Sequence, residues 1–358
     1  MRIAQVCPMW ETVPPKAYGG IELVVSLLTE ELVRRGHEVT LFASGDSITS
    51  ATLESVVPEA LSLDSAVKKY NFYEMLQLSR VYEQADRFDV IHSHMAPAAV
   101  SYANLVKTPT VHTLHGIFDK DNEELFFHGR RQRYVSISDA QREPRLGLNY
   151  VATIYNGIDT DAFKFYPKPQ DPPYLAFLGR LYPDKGAHLA IEIAKRTGIK
   201  LKIAGKITEA EIDYYNSEIK PHIDGKLIEY VGEANHVQKN ELMGNAVATL
   251  FPIQWREPFG LVTIESMVSG TPVIAMEMGS TPEIIVPGKT GFLCKNVEEC
   301  IAAIEPAAQL SRFDCREYVE NNFSAKRMTD GYEALYQQIL AERFAKNGYL
   351  KSKSAIAV

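Results

Sequence analysis

Phe165-Tyr-Pro-Lys-Pro-Gln-Asp-Pro-Pro173 carries four prolines in nine residues. Each proline fixes its own φ and lacks an N–H, so the stretch suits neither a helix nor a central strand and reads as an extended connector. On both sides of it, short apolar runs alternate with helix-length segments. Downstream, strands are expected at 174–178, 201–204, 227–231, 248–251 and 272–275, with a helix over 186–196. Upstream, strand-like runs lie at 2–7, 38–42, 89–93, 110–114, 133–137 and 151–154. Ile21, Val24, Val25, Leu28 and Leu32 fall at helical spacing, and Gly36 stops the pattern. Such alternation predicts parallel sheets wrapped by helices. The connector divides the chain into two successive α/β domains, 1–165 and 174–325, followed by a closing helix and tail over 326–358. Residues 325–345 have helical composition, and 348–358 read as a frayed tail.

Composition agrees with two globular domains. A chain of 358 residues exceeds what one hydrophobic core usually organises. With 46% hydrophobic and 23% charged residues, disorder, collagen and membrane embedding are excluded. No run approaches the roughly 20 apolar residues of a spanning helix. The opening Met-Arg-Ile-Ala-Gln-Val-Cys-Pro begins a strand at once instead of a signal peptide, so a cytoplasmic location is expected. Cys7, Cys294, Cys300 and Cys315 have neither zinc-like nor Cys-x-x-Cys spacing and read as reduced structural thiols. A net charge of -7 disfavours nucleic acid as a partner.

Three segments carry candidate chemistry. Tyr18-Gly19-Gly20-Ile21-Glu22 sits between the first strand and its helix, where glycines admit a ligand to the backbone and a helix N-terminus offers N–H groups to an anion. It matches neither the Gly-x-Gly-x-x-Gly fingerprint nor a Walker loop, and a plain turn is the alternative. Phe177-Leu-Gly-Arg180-Leu-Tyr-Pro-Asp-Lys185-Gly186 follows the first strand of the second domain. Its fork and point charge at a strand's carboxyl end suit a diphosphate, the alternative being two solvated cations. The third segment is Glu257-Pro-Phe-Gly-Leu-Val-Thr-Ile-Glu265. In a helix beginning near Phe259 or Gly260, Glu265 falls on the apolar stripe of Leu261, Ile264 and Val268 and requires a partner there. Glu257 precedes that helix, and the two carboxylates suit a phosphorylated polyol. The alternative makes Glu257 a charge near a helix N-terminus and Glu265 half of an ion pair.

With these segments in this order, the chain resembles the retaining glycosyltransferases of family 4, which have the GT-B fold, over nearly its whole length. Glu257 and Glu265 match the family's Glu-x7-Glu signature. Gly179, Arg180, Lys185 and Gly186 match its Gly-Arg…Lys-Gly loop, residues 156–159 its Asn-Gly-[Val/Ile]-Asp, and His115 of Thr113-Leu-His-Gly its first-domain histidine. The resemblance implies two Rossmann-like domains facing a cleft, with the C-terminal helix returning to the first. It further implies that Arg180 and Lys185 hold the donor diphosphate, Glu257 contacts the sugar hydroxyls and Glu265 the ribose. His115 would lie by the transferred sugar, and the backbone of Phe259, Gly260 and Leu261 would complete a phosphate site. The implied reaction moves a hexosyl unit from a nucleoside-diphosphate sugar, uridine being the commonest base, to a hydroxyl acceptor of unidentified class: sugar, lipid or small molecule. No cofactor and no essential divalent cation are expected, since the cleft loops show no Asp-x-Asp. A sugar-nucleotide 2-epimerase of the same architecture and a silent sugar-nucleotide binding protein are the competing readings.

Other residues read as structural. His92 and His94 end a strand with no third ligand beside them. Ser138 reads as a helix N-cap, Asp139 and Asp159 as caps or turn residues, and Glu283 as either structural or a support for the donor site. The loops 10–18 and 118–131 are where the acceptor would be encoded. Phe126, Phe127, His128, Arg130 and Arg131 in the second read as a solvated helix end in preference to a peripheral membrane contact.

Overall fold

The computed structural model describes residues 1–17 and 19–355, with side chains through residue 343 and at 345. Tyr18, in the expected glycine-loop site, and residues 356–358 of the expected tail lie outside the described residues. The first sheet comprises β1 (Arg2–Val6), β2 (Glu38–Phe42), β3 (Thr52–Glu54), β4 (Val90–Ser93), β5 (Thr110–Thr113), β6 (Arg133–Ser136) and β7 (Tyr150–Thr153). The second comprises β8 (Tyr174–Leu178), β9 (Lys200–Ala204), β10 (Ile228–Gly232), β11 (Ala248–Phe251), β12 (Val273–Met276) and β13 (Gly291–Cys294). Their orders are β3-β2-β1-β4-β5-β6-β7 and β10-β9-β8-β11-β12-β13, with parallel pairing throughout. Central strands such as β4 and β11 are buried on both faces, which is why they read as continuous apolar runs. Two Rossmann-like domains thus face each other across a cleft, the GT-B arrangement.

Two edge strands escaped the sequence reading. β3 is a partly exposed Thr-Leu-Glu, and β13 begins at a glycine just after the Pro287-Gly288 turn. β3 has only three residues, and β13 is interrupted by that turn and its glycine before any apolar run is established. Residues 165–173 hold no regular element and run from one domain to the other. The helix Ala325–Ala355 corrects the expected frayed tail, since it continues through 348–355. Its Met328, Tyr332, Leu335, Tyr336 and Ile339 share one core with Ile3, Val24, Leu28 and Leu32. Arg35 reinforces the docking with ion pairs to Asp330 at 2.8 Å and Glu333 at 2.7 Å. The chain's last helix therefore belongs to the first domain.

In each sheet the order reverses beside its first strand, between β1 and β4 and between β8 and β11. Loops leaving the carboxyl ends there diverge to opposite faces and open a crevice. The two crevices meet in the cleft, and the loops that carry the candidate residues leave these strands or their neighbours.

Candidate active site

The cleft encloses a cavity of about 370 Å³ lined by both domains. His115, Arg180, Lys185, Glu257, Gly19, Gly20, Phe259, Gly260, Leu261 and Glu265 all contribute to its wall. From the second domain, β8 leads into the loop that bears Arg180 and Lys185. Gly186 ends this loop at φ +75, and a Cβ there would lie 1.9 Å from the Pro252 carbonyl oxygen. Only glycine allows that approach, which brings Lys185 against the loop after β11. The Lys185 ammonium lies 2.5 Å from Glu257 Oε2 and 4.7 Å from the centre of the Trp255 ring. Trp255 Nε1 donates to the same carboxylate oxygen at 2.8 Å. Arg180 reaches out beside them, its guanidinium 3.8 Å from the buried carboxylate of Glu211.

Gly260, at φ +80, turns the chain into the helix Leu261–Val268, whose first two residues line the cavity and, at the helix start, have N–H groups without intrahelical acceptors. The Phe259 ring packs in the core near Tyr155 and Phe323, so this residue offers the cleft only its backbone. Glu265 lies on the buried stripe with Ile264 and Val268, and the partner it requires is Lys239 of the helix His236–Gly244. Glu265 thus forms an ion pair while remaining part of the cavity wall.

The wall from the first domain is of another kind. His115 follows β5, and its Nε2 lies 2.9 Å from Nδ1 of His94. Burial pushes the His115 pKa down to about 4, so the imidazole is neutral at pH 7. His92 and His94 are fully enclosed and hydrogen-bonded, as their structural reading expects. Gly19, at φ +147, and Gly20 lead into the helix Gly20–Arg34, and a Cβ on Gly20 would approach the Leu261 side chain to 3.3 Å across the cleft. Glu22, in that helix's first turn, is buried without a cationic partner among the described residues, and burial pushes its carboxyl up to about 7.

Some expected roles move. Ser138 caps a single turn instead of a helix: its hydroxyl accepts from the Gln141 N–H at 3.1 Å and donates to the Pro258 carbonyl across the domain boundary at 2.6 Å. Glu283 lies outside the cavity wall and accepts from the N–H groups of Asp139 at 2.7 Å and Ala140 at 2.6 Å. Arg256 donates to the carbonyls of Ala140 and Arg142, both at 2.6 Å. These contacts clasp the two domains. Asp159 caps a short turn and Asp139 accepts from Thr153, so both are structural. Phe127 is exposed beneath the Arg130 guanidinium, 4.4 Å from its ring centre.

Several cleft residues had no signal in the sequence. Lys239 sits in a polar helix among other polar side chains, and Glu211 and Lys206 in loops without pattern. Lys206 meets Glu11 of the opposite domain at 3.8 Å. For Trp255 a signal existed, its position two residues before Glu257. Among the described residues no group of three or more His, Cys, Asp or Glu side chains is arranged to hold a metal ion, and the four cysteines are buried free thiols.

Comparison with known proteins follows the same division of the chain. Residues 18–162 match the family model "Glycosyltransferase Family 4", and residues 159–324 match "Glycosyl transferases group 1". The glycogen synthase of Mycobacterium tuberculosis is 27% identical over 87% of this chain and 88% of its own. The phosphatidyl-myo-inositol mannosyltransferase of Mycolicibacterium smegmatis is 27% identical over 82% of this chain and 80% of its own. Among solved structures, Anabaena Alr3699/HepE in complex with UDP and glucose aligns with a TM-score of 0.73 at 17% identity, covering 94% of this chain and all of that one.

Proposed function

The chain belongs to glycosyltransferase family 4, and from that premise we propose that it moves a hexosyl unit from a UDP-sugar to a hydroxyl acceptor with retention at the anomeric carbon. The observation that carries this reading is that Arg180, Lys185 and the N-terminus of the Leu261–Val268 helix line one cavity, with Glu257 paired to Lys185. A leaving nucleoside diphosphate develops negative charge on its distal phosphate, and preorganised cations and amides directed at it lower the barrier. The Lys185–Glu257 pair suits an exchange of partners: the ammonium turns to the phosphate, and the freed carboxylate accepts hydrogen bonds from the sugar hydroxyls. Glu265, held by Lys239, is placed for the ribose, and His115 reaches the transferred sugar from the opposite wall.

In this reaction the acceptor oxygen bonds to the anomeric carbon as the carbon–oxygen bond to the diphosphate breaks. Retention brings the acceptor to the leaving group's own face, so a phosphate oxygen takes the acceptor proton and no protein base is needed. The UDP complex of the aligned Anabaena protein supports a uridine donor. The acceptor is left open, because the two relatives differ in it by name. A thermal-shift screen of UDP-, GDP- and ADP-sugars tests the donor: a donor at about 100 times its Kd adds roughly 2.7 kcal/mol of stability. Turnover of that donor in EDTA, with the product anomer assigned by NMR, tests the rest. An inverted anomer, or an obligate Mg²⁺ or Mn²⁺ requirement, would overturn the mechanism.

A further inference from the structure

Behind His115 lies a continuous buried chain of hydrogen bonds that ends on the C-terminal helix. His115 Nε2 meets His94 Nδ1 at 2.9 Å, and His94 Nε2 meets Gln5 Oε1 at 3.2 Å. Gln5 Nε2 donates to the Tyr336 hydroxyl at 3.3 Å, and that hydroxyl lies 2.6 Å from His92 Nδ1. His92 Nε2 lies 2.7 Å from Thr113 Oγ1, which lies 2.8 Å from the Tyr332 hydroxyl. Gln5, His92, Thr113, Tyr332 and Tyr336 have no exposed surface, and His94 has 3%.

Each link needs one proton, and burial keeps the three imidazoles neutral by lowering their pKa values. A neutral imidazole has one N–H and one bare nitrogen, so the partner of one nitrogen decides the state of the other. Histidines and hydroxyls can run the protons either way. The Gln5 amide cannot, because one of its ends only accepts and the other only donates. Its Oε1 requires a proton on His94 Nε2, which leaves His94 Nδ1 bare. His115 must then donate from Nε2, and its own Nδ1 is bare. On the other arm, the Tyr336 hydroxyl accepts from the Gln5 amide N–H and donates to His92 Nδ1. His92 then donates from Nε2 to Thr113. His115 Nδ1 has no protein partner among the described residues, and its ring forms part of the cavity wall.

We propose that Gln5, held by Tyr336 of the C-terminal helix, fixes the tautomer of His115 through His94, so that the ring offers the transferred sugar an unprotonated Nδ1 that accepts a hydrogen bond from one of its hydroxyls. Gln5 and Tyr336 are then positioning residues for a group they do not touch. The inference rests on the reading that His115 faces the sugar. It also gives the closing helix a task in the site: the last segment of the chain sets the proton pattern of a residue near its first strands.

The test is two-bond ¹H–¹⁵N correlation NMR on the histidines of the full chain, paired with steady-state kinetics. In the native protein His115 should show only the Nε2–H form. Tyr336→Phe removes one hydroxyl and leaves the ring, and Gln5→Met removes the amide. In both, the Nδ1–H form should rise to about one fifth or more. The expected kinetic effect is a fall in kcat of about three- to tenfold, little change in donor KM, and weaker discrimination against one of a series of deoxy-sugar donors. Tyr332→Phe is the control: it removes an equally buried hydroxyl from the same helix beyond Gln5, and it should change Tm comparably while leaving the His115 tautomer unchanged. An Nδ1–H form in the native protein, or an unchanged tautomer in both Tyr336→Phe and Gln5→Met, overturns the relay. A changed tautomer with unaltered kcat and deoxy-donor discrimination overturns instead the placing of His115 at the sugar.

Discussion

The two walls of the cleft solve the problem of polar groups in a partly dry site in opposite ways. The wall from the second domain is ionic: Lys185 faces Glu257, Lys239 faces Glu265 and Arg180 faces Glu211, three pairs with each charge within 4 Å of its partner. The wall from the first domain is neutral, made of glycine backbone and of histidines whose protons are shared through a buried network. Charge on a wall can follow charge that moves during a reaction, as a departing phosphate requires. A neutral network with fixed proton positions cannot respond in that way, but it can choose between hydroxyls by direction. The division suggests one wall for driving the bond to break and one for holding the sugar still.

The largest effects should therefore come from the ionic wall. Lys185→Ala and Arg180→Ala should each lower kcat/KM by about two orders of magnitude or more, roughly 2.7 kcal/mol of lost transition-state stabilisation. Lys185→Ala also leaves the Glu257 carboxylate with only Trp255 as partner among the described residues. Near-normal kcat/KM in either variant would remove that residue from the leaving-group site and erase the contrast. Next in size, Glu257→Gln and His115→Ala should each lower turnover by about tenfold while nucleotide Kd, read by calorimetry, changes little. Glu265→Gln should act on nucleotide Kd. Loss of UDP binding in His115→Ala would put the neutral wall on the nucleotide.

How much of this was legible in the sequence follows the same contrast. The ionic wall lies in two compact segments, 179–186 and 257–265, because one strand-to-helix loop can carry several charged groups to one place. Two of its three paired glutamates and two of its three paired cations could be read at once. Lys239 and Glu211 could not, since they arrive from other segments and nothing local distinguishes them. The neutral wall was read only at His115 and the glycines. Its network joins Gln5, His92, His94 and Thr113 to Tyr332 and Tyr336, more than two hundred residues later for the tyrosines. Such pairings are set by tertiary packing of the C-terminal helix. A buried Gln in an apolar strand and two tyrosines one helical turn apart carry no sign of each other. Among the strands, central ones announced themselves by continuous apolarity, and of the four edges β7 and β10 were read while β3 and β13 were not.

The neutral wall can be sharpened by pH. Glu22 has its pKa raised from 4.5 to about 7 by burial, so the folded state binds a proton that the unfolded state has released between those values. Stability from this group is full below pH 4.5 and is lost as pH rises to 7. His115 and His112 run the other way, with pKa values pushed by burial from 6.5 down to about 4 and about 3. Their contribution is present above pH 6.5 and is lost as pH falls toward those values. Glu22→Gln removes the first effect alone. It should stabilise the protein at pH 8 by about 1–3 kcal/mol and change it little at pH 4.5. Thermal unfolding at the two pH values checks this, and equal shifts at both would show that Glu22 is not buried as an acid.

The smallest effect should come from the clasp that sets the distance between the walls. Glu283 accepts from the Asp139 and Ala140 amides and from the Tyr155 hydroxyl at 3.0 Å, while Arg256 and Ser138 add bonds in both directions across the boundary. A carboxylate can accept from two adjacent N–H groups, whereas an amide presents one oxygen and one NH₂ group, so Glu283→Gln turns one of those two bonds into an N–H facing an N–H. Neither wall loses a group of its own. If the clasp holds the domains close, the variant should populate a more open form, with a larger radius of gyration by small-angle scattering that a bound UDP-sugar reverses. The chemistry on each wall stays intact, so kcat/KM should fall by only about two- to fivefold, in proportion to the lost fraction of the closed form. An unchanged radius together with unchanged kcat/KM would mean that the walls are held by other contacts, Lys206 with Glu11 and Gly20 with Leu261 being the next to test.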